Sequence, residues 1–90
     1  MHKLKITVER IDGYCNQSVL VGDSFTVEDS GMLKIPERKR VCLWALQSMV
    51  PMFPLLQQTD PQKDDKDRHV FVCPDPKGLV HYRIERIGKS

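Results

Sequence analysis

Residues 41–56 read VCLWALQSMVPMFPLL, and the architecture follows from whether this apolar run is a membrane span or a buried helix. Gln47 and Ser48 are its only polar members, and no side chain in it is charged. The run falls short of the roughly 20 apolar residues that cross a bilayer as a helix, and Pro51 and Pro54 interrupt it. A buried helix fits better. Pro36 suits a first helical position, where its missing N–H is no loss, so the principal helix is predicted over 37–49. Pro51 disfavours αR geometry at Val50 and ends or kinks the helix there. A second short turn of helix is expected over 52–58.

The residues before the helix alternate. Leu4, Ile6 and Val8 face one way and Lys3, Lys5, Thr7 and Glu9 the other, the signature of a half-buried strand over 3–11. Asp12-Gly13 supplies a turn. Val19-Leu20-Val21, the bend at Gly22-Asp23 and Phe25-Thr26-Val27-Glu28 give a bent strand or small hairpin over 19–28. Asp29-Ser30-Gly31 turns again, and Met32 to Ile35 adds a short edge segment. Beyond the helix, residues 59–68 (TDPQKDDKDR) contain no apolar side chain and form a solvated loop. A hairpin closes the chain, His69 to Cys73 and Leu79 to Ile87, around Pro74-Asp75-Pro76-Lys77-Gly78.

Strands, one helix, then strands imply an α+β domain. The expectation is a small antiparallel sheet of four or five strands with one principal apolar helix packed on one face. Ninety residues hold one core, so residues 1–90 form a single domain. The helix is apolar nearly all round from Val41 to Leu46, more than one sheet face covers. The remainder must meet the 52–58 segment or another subunit, which points to a homodimer through this helix.

The opening Met1-His2-Lys3-Leu4-Lys5 alternates charge and apolar side chains, unlike the apolar core of a secretory signal. That pattern points to the cytoplasm, where Cys15, Cys42 and Cys73 stay reduced. An odd cysteine count without regular spacing also argues against a disulfide framework. A formal charge of +2 is too small to indicate nucleic-acid binding. Arg38-Lys39-Arg40, with Lys34, Lys3 and Lys5, would make an anion-binding patch, although a solvated face explains the same charges.

The C-terminal hairpin permits a geometric inference. If Val72 pairs with Val80, then Phe71 pairs with His81, and Val70 and Val72 share the core face with Val80, Tyr82 and Ile84. Cys73 would then lie diagonal to His81, roughly 5.5 to 8 Å away, a Cys/His pair suited to metal ligation or thiolate activation. Cys42 lies early in the helix among Val41, Leu43 and Trp44 and reads as a core residue. Cys15 follows Gly13-Tyr14 in a loop. Cys15, Cys42, Cys73 and His81 (or His69) are the candidate metal ligands. Structural zinc sites usually pair ligands two to four residues apart, and no such pair occurs here. The residues name no particular cofactor. Asp60, Asp64, Asp65 and Asp67 do not form a calcium loop, since the glycine and closing glutamate of an EF-hand are missing and Lys63 and Lys66 intervene. No phosphate-binding glycine loop, nucleophile elbow or His-x-x-x-His pattern is present.

Cys73-Pro74-Asp75-Pro76 followed by Val80-His81-Tyr82-Arg83-Ile84-Glu85-Arg86-Ile87 resembles the end of a family of small uncharacterised prokaryotic proteins of about this length. These share three spaced cysteines and a C-terminal Cys-Pro-Asp-Pro hairpin. Cys15 upstream of Gly22-Asp23, and Cys42-Leu43-Trp44-Ala45 in place of Cys-Pro-x-Ala, are similar to the family's other motifs. The chain departs from the family at Asn16 and Leu43, where proline is usual, and at Ser18-Val19, where Gly-His is common. The resemblance implies three matched cysteine positions without that histidine, and no particular activity. The sequence thus carries no complete catalytic constellation. Its leading reading is a non-enzymatic accessory or interaction protein acting as a homodimer, with the helix face or the surface near Cys15 as the contact. The competing reading is a cysteine-based metal or redox protein using Cys15, Cys42 and Cys73.

Overall fold

The computed structural model describes residues 1–13, 20–37, 39–59, 68–72 and 79–89. In chain order the elements are β1 (His2–Ile11), β2 (Ser24–Glu28), β3 (Met32–Lys34), α1 (Leu43–Met49), α2 (Met52–Gln58), β4 (Arg68–Val72) and β5 (Val80–Lys89). The strands form an antiparallel sheet in the order β3-β2-β1-β5-β4. The chain is therefore α+β.

Alternation along the strands puts the core on one face. Leu4, Ile6 and Val8 of β1, Phe25 and Val27 of β2, and Val80, Tyr82 and Ile84 of β5 are all buried. Leu4 stands opposite Val27, and Ile6 lies between Phe25 and Ile84. Rows of apolar side chains therefore cross the sheet on its core face. The β1–β5 ladder has two irregularities, and one of them keeps that face continuous. Val8 pairs with Tyr82 and Arg10 with His81, leaving Glu9 as an extra residue. The bulge resets the alternation, so Ile11, opposite Val80, packs back against the core. At the far end Lys3 pairs with Gly88 and Leu4 with Arg86, which leaves Ile87 unpaired in β5. Gly88 there has φ +143, a backbone conformation that L side chains rarely adopt.

The helices cover the core face with Ala45, Met49, Phe53, Leu56 and Gln57. Steps of three and four residues place these side chains along one stripe. Helices of seven residues are marginal alone, so this packing supplies most of their stability. Arg86 ties the end of α2 to β5: its Nε donates to the Leu56 carbonyl at 3.0 Å and its guanidinium to Thr59 Oγ1 at 3.3 Å. These contacts satisfy carbonyl acceptance at a helix C-terminus, where a cation is favoured.

Where one principal helix was expected, the structure has two of equal length. Residues 37–42 precede α1 instead of belonging to it. Glu37, Lys39 and Arg40 offer nothing apolar to pin a helix to the sheet. Val41 is the first residue after them that packs against the core. Cys42 is the N-cap, with extended geometry (φ −72, ψ 120) and no side-chain capping bond. At the other end Val50 keeps αR geometry despite preceding proline (φ −51, ψ −44), and its N–H donates to the Leu46 carbonyl at 2.9 Å. The break arises one residue later, because Pro51 has no N–H to continue the ladder. Phe53 restarts it by donating to the Val50 carbonyl at 3.1 Å. Pro54 falls in the first turn of α2, where a missing N–H is tolerated.

Two other expectations shift. Leu20 and Val21 lie in a turn and not in a strand: Asp23 N–H donates to the Leu20 carbonyl at 3.0 Å, and the Leu20 N–H donates to Asp23 Oδ2 at 3.0 Å. Val19 lies outside the described residues. In the hairpin, Val72 opposes His81 and Phe71 opposes Tyr82, one residue away from the expected pairing of Val72 with Val80. Register between a strand and its neighbour follows the turn that joins them, and that turn, residues 73–78, lies outside the described residues.

Met49 is fully buried where α1 meets the sheet. Met49→Ala is expected to lower the unfolding free energy by about 2–5 kcal/mol, measured by urea denaturation followed by circular dichroism. A loss below about 1 kcal/mol would mean that α1 does not seal this core.

Candidate functional site

Between α1–α2 and the β2–β3 side of the sheet runs an apolar groove of about 200 Å3. Val27 and Leu33 line it from the sheet, Leu46, Val50 and Phe53 from the helices, and Gln57 closes one end. Gln57 is buried, and its Nε2 donates to the Asp29 carbonyl at 2.7 Å. That bond joins α2 to the β2–β3 turn, where Asp29 (φ +49) and Gly31 (φ +84) both take left-handed geometry. Around the groove the outer sides of the helices stay open. Leu43 is 71% exposed, Trp44 62%, Leu55 54% and Val50 45%. Nothing in residues 41–59 is charged. Scattered exposed apolar residues are ordinary; here several share one uncharged helical layer beside the groove.

The opposite face of the sheet carries a series of ion pairs. Lys3 Nζ meets Glu28 Oε1 at 3.1 Å, and Arg83 bridges Glu9 (3.5 Å) and Glu85 (2.8 Å). The Glu9 bulge brings Arg10, Asp12 and His81 together. Asp12 Oδ2 accepts from Arg10 at 3.1 Å and lies 2.9 Å from His81 Nε2. The Lys3 ammonium, through a hydrogen bond and its charge, holds the Glu28 carboxyl below the usual carboxylate range, and Lys34 adds to the effect. Asp23 is likewise held low, first by the Leu20 amide and then by Lys39, whose Nζ lies 3.0 Å from Oδ1.

The metal candidates divide across this architecture. Cys42 is partly buried and packs against the core, on the helix side of the sheet. His81 alternates with buried Val80 and Tyr82, so it points to the polar face, where Asp12 engages it. The sheet therefore separates Cys42 from His81. Cys15 and Cys73 lie outside the described residues. Among the described residues no group of three or more His, Cys, Asp or Glu side chains could hold a metal ion. Of the basic patch, Lys3 and Lys39 are committed to Glu28 and Asp23, and Arg38 lies outside the described residues. Among the described residues no helix is long and apolar enough to cross a membrane.

Comparison with protein-family models, with curated proteins and with solved structures finds no match.

The groove was not singled out by sequence reasoning, because Leu33 and Gln57 become neighbours only through the Gln57–Asp29 bond. Trp44 and Leu43 carried the one available signal, as members of a charge-free run too apolar for its covered side.

Asp23 makes a pH prediction. Its carboxyl is held low in the folded state, so it contributes stability above the ordinary carboxylate range, and that contribution is lost as pH falls through its lowered value. Asp23→Asn keeps an acceptor for the Leu20 amide but removes the charge facing Lys39. The variant is expected to lose less than about 1 kcal/mol at neutral pH, since the pair is solvent-accessible. It should also show a shallower fall in stability across the acid range. Parallel acid denaturation curves for the two proteins would refute the assignment.

Proposed function

We propose that this protein is a small non-enzymatic accessory or interaction protein that works as a homodimer through the uncharged outer side of α1 and α2. The observation that carries this reading is Trp44, 62% exposed beside Leu43 at 71%, on a layer without one charged residue. A two-fold axis lays a surface against its own copy, so any charge in the patch would meet its like. A patch with no charge meets that condition, and it offers no partner group to a charged ligand. Tryptophan is also the residue type most often found dominating binding energy at an interface. On this reading the protein works in the cytoplasm with its thiols reduced, and it shares its plan with the small three-cysteine prokaryotic proteins that its tail resembles.

Light scattering tests the proposal. The native chain is expected to show twice the 10.4 kDa mass of one copy at high concentration, falling toward one copy on dilution. Trp44→Glu is expected to leave the circular dichroism unchanged and to weaken association by about 2–4 kcal/mol, roughly thirtyfold to a thousandfold in Kd. A native mass of one copy at every concentration would overturn the reading.

A further inference from the structure

Gln57 is the polar exception in the groove between the helices and the β2–β3 side of the sheet. It is 2% exposed, as a core residue would be, and it lines the groove together with Val27, Leu46 and Phe53. Burying an amide costs free energy unless both of its ends are bonded. One end is satisfied, since Nε2 donates to the Asp29 carbonyl at 2.7 Å. The other is not. Oε1 accepts no hydrogen bond among the described residues, yet it is still reachable by solvent, whereas the unpaired hydroxyl of Thr7 is sealed. Gln57 therefore brings an open acceptor to the groove it lines.

We propose that this groove binds a small, neutral, ring-bearing molecule of the indole or phenol class, whose N–H or O–H donates to Gln57 Oε1. The lining selects for that chemistry. No lining side chain is charged, so a charged ligand would lose its hydration with nothing to replace it. Buried Val27 and Phe53 make the floor, and exposed Leu33 and Val50 make the rim. Phe53 favours a flat ring, which meets it edge-on or offset-stacked. The volume of about 200 Å3 sets the size. An apolar cavity of about 150 Å3 holds benzene, so one or two fused rings fill this groove. Drug-sized ligands occupy roughly 300–1,000 Å3 and are too large. The donor is required because a ring without one would cover Oε1 and leave it unpaired. The site goes beyond the homodimer reading and does not depend on it, since Leu43, Trp44 and Leu55 do not line the groove.

Nitrogen-15 NMR of the native chain titrated with indole tests the site, with benzofuran as the isostere that lacks the N–H. Indole is expected to shift the Gln57 side-chain amide and the Val27 and Phe53 backbone amides, with a Kd of about 1 mM or tighter. Benzofuran is expected to bind about tenfold more weakly, the loss of one hydrogen bond to a buried acceptor. Leu33→Trp places a larger ring in the groove and is expected to abolish the indole shifts while the circular dichroism stays native. Equal affinity for indole and benzofuran, shifts that survive Leu33→Trp, or no shift at Gln57 with millimolar indole would each overturn the site. Light scattering on the same samples reports on the homodimer separately.

Discussion

β1 is held on both sides, by β2 and by β5, and the rest of the molecule depends on that double pairing. Leu4, Ile6 and Val8 form the middle row of the core only because both neighbours keep register with them. The ladder with β5 runs from His2 to Ile11 and tolerates two bulges. The extra residue at Glu9 returns Ile11 to the core face, while Arg86, on the same side as Ile84 by plain alternation, reaches the end of α2. Without the Glu9 reset, Ile11 would fall on the polar face and Arg10 on the core face.

The helical layer follows from the same constraint. In sequence, residues 41–59 lie between β3 at one edge and β4 at the other, and they cover the core face as two short helices with a proline break. Each helix buries only the stripe that faces the sheet, through Ala45 and Met49 or Phe53 and Leu56. Their remaining sides are apolar as well, so burial of one side leaves Leu43, Trp44 and Leu55 in water. Large contiguous apolar patches are uncommon on monomeric proteins, and on the proposed reading a second copy covers this one.

The fold was legible where the alternation was strict. The strand at 3–11, the segment Phe25 to Glu28, the edge at Met32 and the closing strand all declare themselves by period two, and the class follows from their order. The helix start was not legible. Pro36 and the composition both allow helix from 37, and only tertiary packing, beginning at Val41, sets the boundary at Leu43. The hairpin register moved by one residue, which sets Val70 and Val72 opposite Arg83 and His81 and not in register with the core row of Val80, Tyr82 and Ile84 as expected, because alternation fixes the period of a strand but not which parity joins the core. Cys42, read as a core residue, and His81, read as a surface partner of Cys73, both belong to the candidate metal set. Strand parity at His81 and packing at Cys42 send them to opposite sides of the sheet. The excess apolar surface of the 41–56 run was visible in the residues themselves, and its location beside a groove was not.

Trp44 is the only tryptophan in the chain and is an exposed member of the uncharged layer. Its fluorescence emission, followed over a dilution series of the native protein, tests the central claim most directly. If the layer is an interface, emission is blue-shifted and poorly quenched by acrylamide at high concentration, and it moves to the red on dilution as the indole enters water. Emission that is red-shifted and freely quenched at every concentration would show Trp44 permanently in solvent and contradict the account.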